Sequence, residues 1–254
     1  MKNNFYKLSL LFLVLLINFD TKLFANEINF EAKNIETIEE NIISASDEVY
    51  IYDNLGNKIL SDKLLIDNKA KIYTIKENVI LKNENNEITL NANEIIFDQS
   101  KNTITSLGNT KINKNNNYFI ETSNITYDLS SKKIFSNEDT ILRDLQPNEI
   151  DVQNFKLDLN QNTFVANNVV MTDKELNIFN IKKIFYDFNN ERILGQDISI
   201  NDFNELSKKR YLSRAKGKSF IYEDGNFTLN KGIYTNCKKR EGCSPWSINA
   251  KEVK

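Results

Sequence analysis

No histidine occurs anywhere in the 254 residues; cysteine and proline each occur only twice, and glycine only seven times. The missing imidazole removes the commonest general base and metal ligand, and two thiols alone cannot build a structural zinc site. No close carboxylate pair stands out to take over acid and base work. An enzyme is therefore the weakest class, and no cofactor or metal is expected. So little glycine and proline also excludes collagen-like or linker-type sequence. Charge excludes more than it suggests. With 33 Lys and Arg against 35 Asp and Glu, mixed throughout, there is no basic field for nucleic acid and no acidic tail for a basic partner.

What is abundant points to strands. Sixteen Phe and ten Tyr, with many Ile, Val and Thr, favour β structure over helix, in a chain long enough for a sizeable core. The N-terminus carries an address. Lys2 and Lys7 precede the apolar run from Leu8 to Ile17, and Leu23-Phe24-Ala25 offers a small residue to a signal peptidase. The run is about half the ~20 residues that a spanning helix needs, so residues 1–25 read as a cleaved secretory signal rather than an anchor. Everything after it is expected to be soluble and exported.

The remainder is repetitive. An apolar residue, any residue, a second apolar residue and an acid recur as Ile28-Asn29-Phe30-Glu31, Leu64-Leu65-Ile66-Asp67, Ile95-Ile96-Phe97-Asp98, Ile125-Thr126-Tyr127-Asp128, Phe155-Lys156-Leu157-Asp158, Ile184-Phe185-Tyr186-Asp187 and Phe220-Ile221-Tyr222-Glu223. Successive acids lie 36, 31, 30, 30, 29 and 36 residues apart, a near-constant period in the middle with atypical ends, as in stacked repeats. Strict alternation within each unit predicts a strand with one apolar face. Turn-rich residues follow each acid, for example Gln99-Ser100-Lys101-Asn102, and then a second strand with apolar residues at Ile104, Ile134, Phe164 and Ile193 and, near its end, at Ile112, Leu142, Val170 and Ile200. Seven units of two strands predict about fourteen strands. The first gap holds an added strand-like Val49-Tyr50-Ile51-Tyr52.

The acids invite comparison with a carboxylate array for calcium, but each is better placed as the first residue of an Asx-type turn closing a hairpin. The last gap contains Lys208, Lys209, Arg210, Arg214, Lys216 and Lys218. That cluster reads as a solvated loop, with Lys208, Lys209 and Arg210 as candidate phosphate contacts.

Strands with one apolar face and no covering helices must close on one another as a sandwich, jelly roll or solenoid, either fully packed or leaving an apolar trough. In an exported protein the trough has an obvious cargo. A lipid chain of about twelve carbons forfeits roughly 10 kcal/mol when exposed to water, so any carrier must supply a continuous apolar path. The candidate walls of such a path are Leu64, Ile66, Ile95, Phe97, Ile125, Tyr127, Phe155, Leu157, Ile184, Tyr186, Phe220 and Tyr222.

The units, exemplified by Ala92-Asn93-Glu94-Ile95-Ile96-Phe97-Asp98 followed by Ile104-Thr105-Ser106-Leu107-Gly108-Asn109, resemble the organic-solvent-tolerance family of lipopolysaccharide transport proteins. The C-terminal stretch, Phe227 to Cys237 and then Cys243-Ser244-Pro245-Trp246-Ser247-Ile248-Asn249-Ala250-Lys251, is similar to the end of the periplasmic domain that precedes the barrel in LPS-assembly outer-membrane proteins. The resemblance implies repeated β-hairpins forming an open V-shaped β-jelly-roll over residues 26–236, and a Cys-containing connection over 237–254 towards an outer-membrane barrel. It implies lipopolysaccharide as cargo, held by its lipid A acyl chains and conveyed at the periplasmic face of the outer membrane towards the translocon. The partners it implies are a periplasmic LPS bridge protein joined by edge-strand pairing and an outer-membrane lipoprotein plug.

This chain departs from the family pattern in having no Cys between residues 26 and 236, which puts an inter-domain bridge in doubt. Cys237 and Cys243 are expected to pair with each other in an oxidising compartment, contributing only ~2 kcal/mol, or each with a Cys elsewhere. Ile248 to Lys254 overlays Leu90 to Ile96, so the sequence is expected to be a fragment that stops inside a strand. Two other readings stand beside this one: a stand-alone soluble bridge protein of the same pathway, and a surface repeat protein using a packed β-solenoid as a spacer.

Overall fold

The structure, a computed structural model, describes residues 28–53, 56–83, 87–114, 116, 118–144, 149–172, 176–204, 209–223, 226–235 and 247–253. These residues form strands and connecting turns, with no helix. In order the strands are β1 (Asn29–Glu31), β2 (Asn34–Glu39), β3 (Ile42–Tyr52), β4 (Asn57–Asp67), β5 (Ile72–Asn83), β6 (Ile88–Asp98), β7 (Thr103–Lys114), β8 (Tyr118–Asp128) and β9 (Lys133–Ser136). There follow β10 (Thr140–Asp144), β11 (Glu149–Val152), β12 (Asn154–Asp158), β13 (Thr163–Thr172), β14 (Ile178–Asp187), β15 (Arg192–Asn204), β16 (Lys209–Glu223), β17 (Asn226–Thr235) and β18 (Ile248–Val253).

The all-β class built of repeated hairpins is thus as read from the sequence. The eighteen described strands exceed fourteen for physical reasons. β3, which carries Val49–Tyr52, and β18 lie outside the two-strand count, and two expected strands are each interrupted. The break between β9 and β10 follows Ser136, whose hydroxyl accepts the Glu138 N–H at 3.1 Å, a side-chain bond that competes with the ladder. The break between β11 and β12 falls at Gln153, whose N–H donates to the Asn167 carbonyl at 3.1 Å.

The described residues fall into two compact units, an N-terminal one (28–140 with 158–160) and a C-terminal one (141–157 with 161–253). In the first, an antiparallel ladder runs from β2 through β3, β4, β5, β6, β7 and β8 to β9, and β1 pairs with the far half of β3. In the second, β11 pairs with β13, and the ladder continues through β14, β15, β16 and β17 to β18, again antiparallel throughout.

The turns after the anchor acids are nearly identical. Asp67 pairs with Ile72, Asp98 with Thr103, Asp128 with Lys133 and Asp187 with Arg192, so four residues form each loop. The last loop residue has positive φ every time: Lys71 (58°), Asn102 (55°), Lys132 (51°), Asn162 (53°) and Glu191 (47°). The carboxylate accepts from the loop backbone: Asp67 from Ala70 N–H (2.8 Å), Asp98 from Lys101 N–H (3.0 Å), Asp128 from Ser131 N–H (2.9 Å), Asp158 from Asn160 N–H (3.1 Å) and Asp187 from Asn189 N–H (3.0 Å). Consecutive turns also stack, because the N–H after each acid reaches the carbonyl of the positive-φ residue in the preceding turn: Gln99 to Lys71, Leu129 to Asn102, Leu159 to Lys132 and Phe188 to Asn162.

The Asx-turn reading therefore holds for the five aspartates and fails for Glu31, while the loop after Glu223 lies outside the described residues. Glu31 accepts from the Tyr52 hydroxyl at 3.5 Å, and Glu223, paired with Asn226 across a two-residue loop, lies 3.6 Å from Arg192. Glu31 ends no hairpin, because β1 and β2 pair one after the other with the same strand, β3.

A second correction concerns alternation. Inward side chains follow a two-residue step only until the middle of each strand, where the phase slips: Ile59, Ser61, then Leu64 and Ile66 on β4; Phe179, Ile181, then Ile184 and Tyr186 on β14. Two consecutive outward residues mark a bend at each slip. The slip explains why Val170 is on the outer side while Val169 and Met171 are buried. The basic residues expected in a loop are also reassigned, since Lys209, Arg210, Arg214, Lys216 and Lys218 lie within β16. The longer gap before Glu223 is taken up by lengthening β15 and β16 to 13 and 15 residues.

Candidate functional site

The inner face of each unit is built in cross-strand rows. In the N-terminal unit, Ala45, Leu64, Ile75, Ile95, Ser106 and Ile125 stand opposite one another from β3 to β8. The adjacent row is Ile43, Ile66, Tyr73, Phe97, Ile104, Tyr127 and Ile134. In the C-terminal unit, Ala166, Ile184, Gly195, Phe220, Leu229 and Val253 form one row, and Phe164, Tyr186, Ile193, Tyr222 and Phe227 the next. Period-two pairing in register places like residues from each repeat side by side, so an alternating sequence becomes a continuous apolar stripe.

All twelve wall candidates from the sequence (Leu64, Ile66, Ile95, Phe97, Ile125, Tyr127, Phe155, Leu157, Ile184, Tyr186, Phe220 and Tyr222) are buried. Each unit gathers its own six, with aromatic contacts inside it: Tyr73 and Phe97 rings lie 6.0 Å apart in the N-terminal unit, and Phe155 and Phe164 stack at 5.8 Å in the C-terminal one. In the N-terminal unit, Ile51, Ile59, Leu64, Tyr73, Ile75, Ile95 and Phe97, with Ile28 and Phe30 from β1 and the residue before it, enclose only about 10 Å³ of free space, room for one water molecule at most. The stripe here is a filled interior.

The stripe is open elsewhere, at residues the sequence reading missed. On β2, the outermost strand of the N-terminal ladder, Ile35 stands opposite Ala45 yet is 55% exposed, and Ile38 is 59% exposed. On β18, outermost in the C-terminal ladder, Val253 stands opposite Leu229 and is 46% exposed, while Ile248 opposite Tyr234 is 58% exposed. β18 lies beyond the last anchor, and β2 follows Glu31 in the atypical first unit. Their short aliphatic alternation was the available signal.

Buried polar groups include Ser61 and a set of bonded hydroxyls, in which Thr110 donates to Ser106 at 2.9 Å and Thr140 to Thr122 at 3.0 Å. The Tyr127 hydroxyl is buried with no hydrogen-bond partner among the described residues, and burial together with Asp128 raises its pKa. Three of the turn acids are held ionised. Asp98 is kept well below the usual range by the Lys101 ammonium and the Ser100 hydroxyl, Asp128 by the Ser131 backbone and side chain, and Asp187 by the Asn190 amide. Among the described residues no group of three or more acids is arranged to hold a metal ion. Lys208, Cys237 and Cys243 lie outside the described residues; Lys209 and Arg210 are described as backbone only, opposite Asn204 and Phe203.

No family model matches the sequence, and no curated protein matches it. Among solved structures, LptH of Pseudomonas aeruginosa, the LptA homologous periplasmic component of the lipopolysaccharide transport device, aligns over 42% of this chain and 80% of its own, with 12% identity and a TM-score of 0.36. That overlap is too slight to assign a function.

Proposed function

We propose that this protein binds the acyl part of lipopolysaccharide along the inner face of its hairpins and passes it along an assembly of similar β-domains. The observation that carries this reading is the uncapped stripe. A self-sufficient stack ends in polar capping strands, whereas here the inner apolar rows run out to exposed Ile35 and Ile38 on β2 and to Ile248 and Val253 on β18. An outermost strand with an exposed apolar face is a template for adding another strand, and a partner joined there would extend the ladder and the stripe together.

The export signal and the repeat resemblance read from the sequence support the finer version. In it, the chain is the open V-shaped jelly-roll domain of an organic-solvent-tolerance family member. A periplasmic bridge protein pairs at one outermost strand, and cargo moves towards an outer-membrane translocon with its lipoprotein plug. Carriage of an acyl chain needs the filled interior to open, and the inner residues are the ones that must meet the lipid when it does. Photo-crosslinking amino acids at Ile95, Ile125, Phe155 and Ile184, with purified lipopolysaccharide, test this. Adducts are expected at all four; their absence at every position would favour the packed β-solenoid spacer.

A further inference from the structure

We infer that residues 28–32 form a displaceable strap that occupies the acyl site of the N-terminal unit, so that an alkyl chain enters by exchanging with Ile28 and Phe30. The inference rests on the acyl-binding reading above and adds its control. Alternate residues Ile28, Phe30 and Ala32 turn towards the core and pack against it, while Asn29 and Glu31 are exposed. The surfaces they cover come from four strands: Ile51 of β3, Ile59 and Leu64 of β4, Tyr73 and Ile75 of β5, and Ile95 and Phe97 of β6. Three of these residues, Leu64, Ile95 and Phe97, belong to the repeat positions that form the stripe. The present occupant is thus an aliphatic and an aromatic side chain in a slot without polar lining, and a saturated hydrocarbon chain has the same chemistry.

The strap is also the most lightly held element on that interior. β1 has three register pairs, Asn29 with Tyr52, Phe30 with Ile51 and Glu31 with Tyr50, against nine between β3 and β4. Its outer tether, Tyr52 hydroxyl to Glu31, is long at 3.5 Å. Immediately beyond, the chain is fixed again by Lys33 N–H to the Asp47 carbonyl at 3.0 Å and Asn34 to the Asp47 carboxylate at 2.6 Å. Lys33 marks the hinge. Releasing β1 breaks few ladder bonds and leaves β2 to β9 paired, and the exposed slot then regains its burial from a ligand.

A disulfide lock decides the matter. Glu31 and Tyr50 are register partners, so E31C/Y50C ties the strap down when oxidised and frees it when reduced, with E31C alone as control. Binding is read with cis-parinaric acid, a fluorescent acyl probe, on the full chain. Oxidation is expected to weaken binding about tenfold or more, and Phe30→Ser to tighten it several-fold, because the occupant no longer competes. Equal affinity of oxidised and reduced forms, with Phe30→Ser unchanged from wild type, overturns the strap while leaving acyl binding intact. Failure of every form to bind the probe overturns the acyl-binding reading, and the strap with it.

Discussion

The two units bend their strands by different means. In the N-terminal unit the bend is made by insertion. β3, β5 and β7 each carry one more residue than their partners between Ser46 and Val49, Lys76 and Val79, and Leu107 and Thr110. The inserted steps have positive φ at Asp47, Glu48, Glu77, Asn78 and Gly108. In the C-terminal unit the ladder keeps its register through the bend, with single positive-φ residues at Asn168, Asp197 and Lys231, and room is made by deletion of side chains. A Cβ at Gly195 would lie 1.7 Å from the Phe220 ring, and one at Gly217 would lie 2.1 Å from Leu229. A bulge re-aims a strand by adding backbone, whereas a glycine lets a large neighbour lie across the strand.

The residues that the ladder skips at the bends also differ in charge. Asp47, Glu48, Asp62 and Glu77 line the N-terminal bend, where Lys63 pairs with Glu77 at 2.7 Å and Asn78 donates to Asp62 at 2.5 Å. In the C-terminal unit they are Lys182, Lys218, Lys231 and Lys251, with only Asp197 among them, 3.9 Å from Lys182. Among the described residues Lys218, Lys231 and Lys251 have no carboxylate partner. Insertion therefore comes with an acidic bend, where Glu48 and Glu77 meet lysines and Asp47 and Asp62 meet asparagine amides, and deletion comes with a basic one.

If the C-terminal bend depends on large side chains lying over glycines, truncation there should be the most damaging change. Phe220→Ala is expected to destabilise by about 3–5 kcal/mol in urea unfolding, since a side chain only 1% exposed leaves a cavity over Gly195. Next in size is a matched pair of glycine substitutions. Gly195→Ala forces Phe220 from its place at roughly 1–3 kcal/mol. Gly108→Ala places a Cβ at φ +67° with Asn93 at 3.1 Å, which is expected to cost about 1–2 kcal/mol. A Gly195→Ala variant as stable as the wild type, measured by the same unfolding midpoint, would erase the distinction between the two bends.

The turn column tests the units through pH. Asp98, Asp128 and Asp187 have folded-state pKa values below their unfolded ones, so their contribution is complete above about pH 4 and is lost as pH falls through the folded values. Two of the three are in the N-terminal unit. D98N/D128N is expected to flatten the acid dependence of that unit more than Asp187→Asn flattens that of its neighbour, by amide exchange at pH 2 to 6. Smallest of all is Tyr127→Phe, which removes a buried hydroxyl without a partner and is expected to be neutral or to stabilise by about 1 kcal/mol or less. A clear loss in thermal unfolding would mean that the hydroxyl is satisfied in solution.

Much of the fold was legible because it is local. Asp98 and Lys101 are three residues apart, and an Asx turn needs nothing beyond them. The inward placement of Ile125 and Tyr127 follows from the pleat alone. The candidate site was legible only as a set of apolar positions. Strict alternation, carried from Phe164 to the end of its strand, would place Val170 inward. It is wrong beyond the bend, because the slip depends on which residue of a neighbouring strand is skipped. Glu31 matched the period by position, but β1 and β2 both pair with β3, so no hairpin follows it.

By itself, then, the sequence determined the all-β class, the thirty-residue hairpin unit, the aspartate turns and the apolar face, all set by contacts within a few residues or by pleat geometry. The tertiary structure decided where the stripe is filled and where it is bare. Phe30 reaches Ile51 and the slot beyond it from a distant position in the chain, and Ile35 is exposed because β2 ends its ladder. Those outcomes depend on which strands become neighbours, and pairing between distant segments is set by the whole ladder rather than by any one stretch of chain.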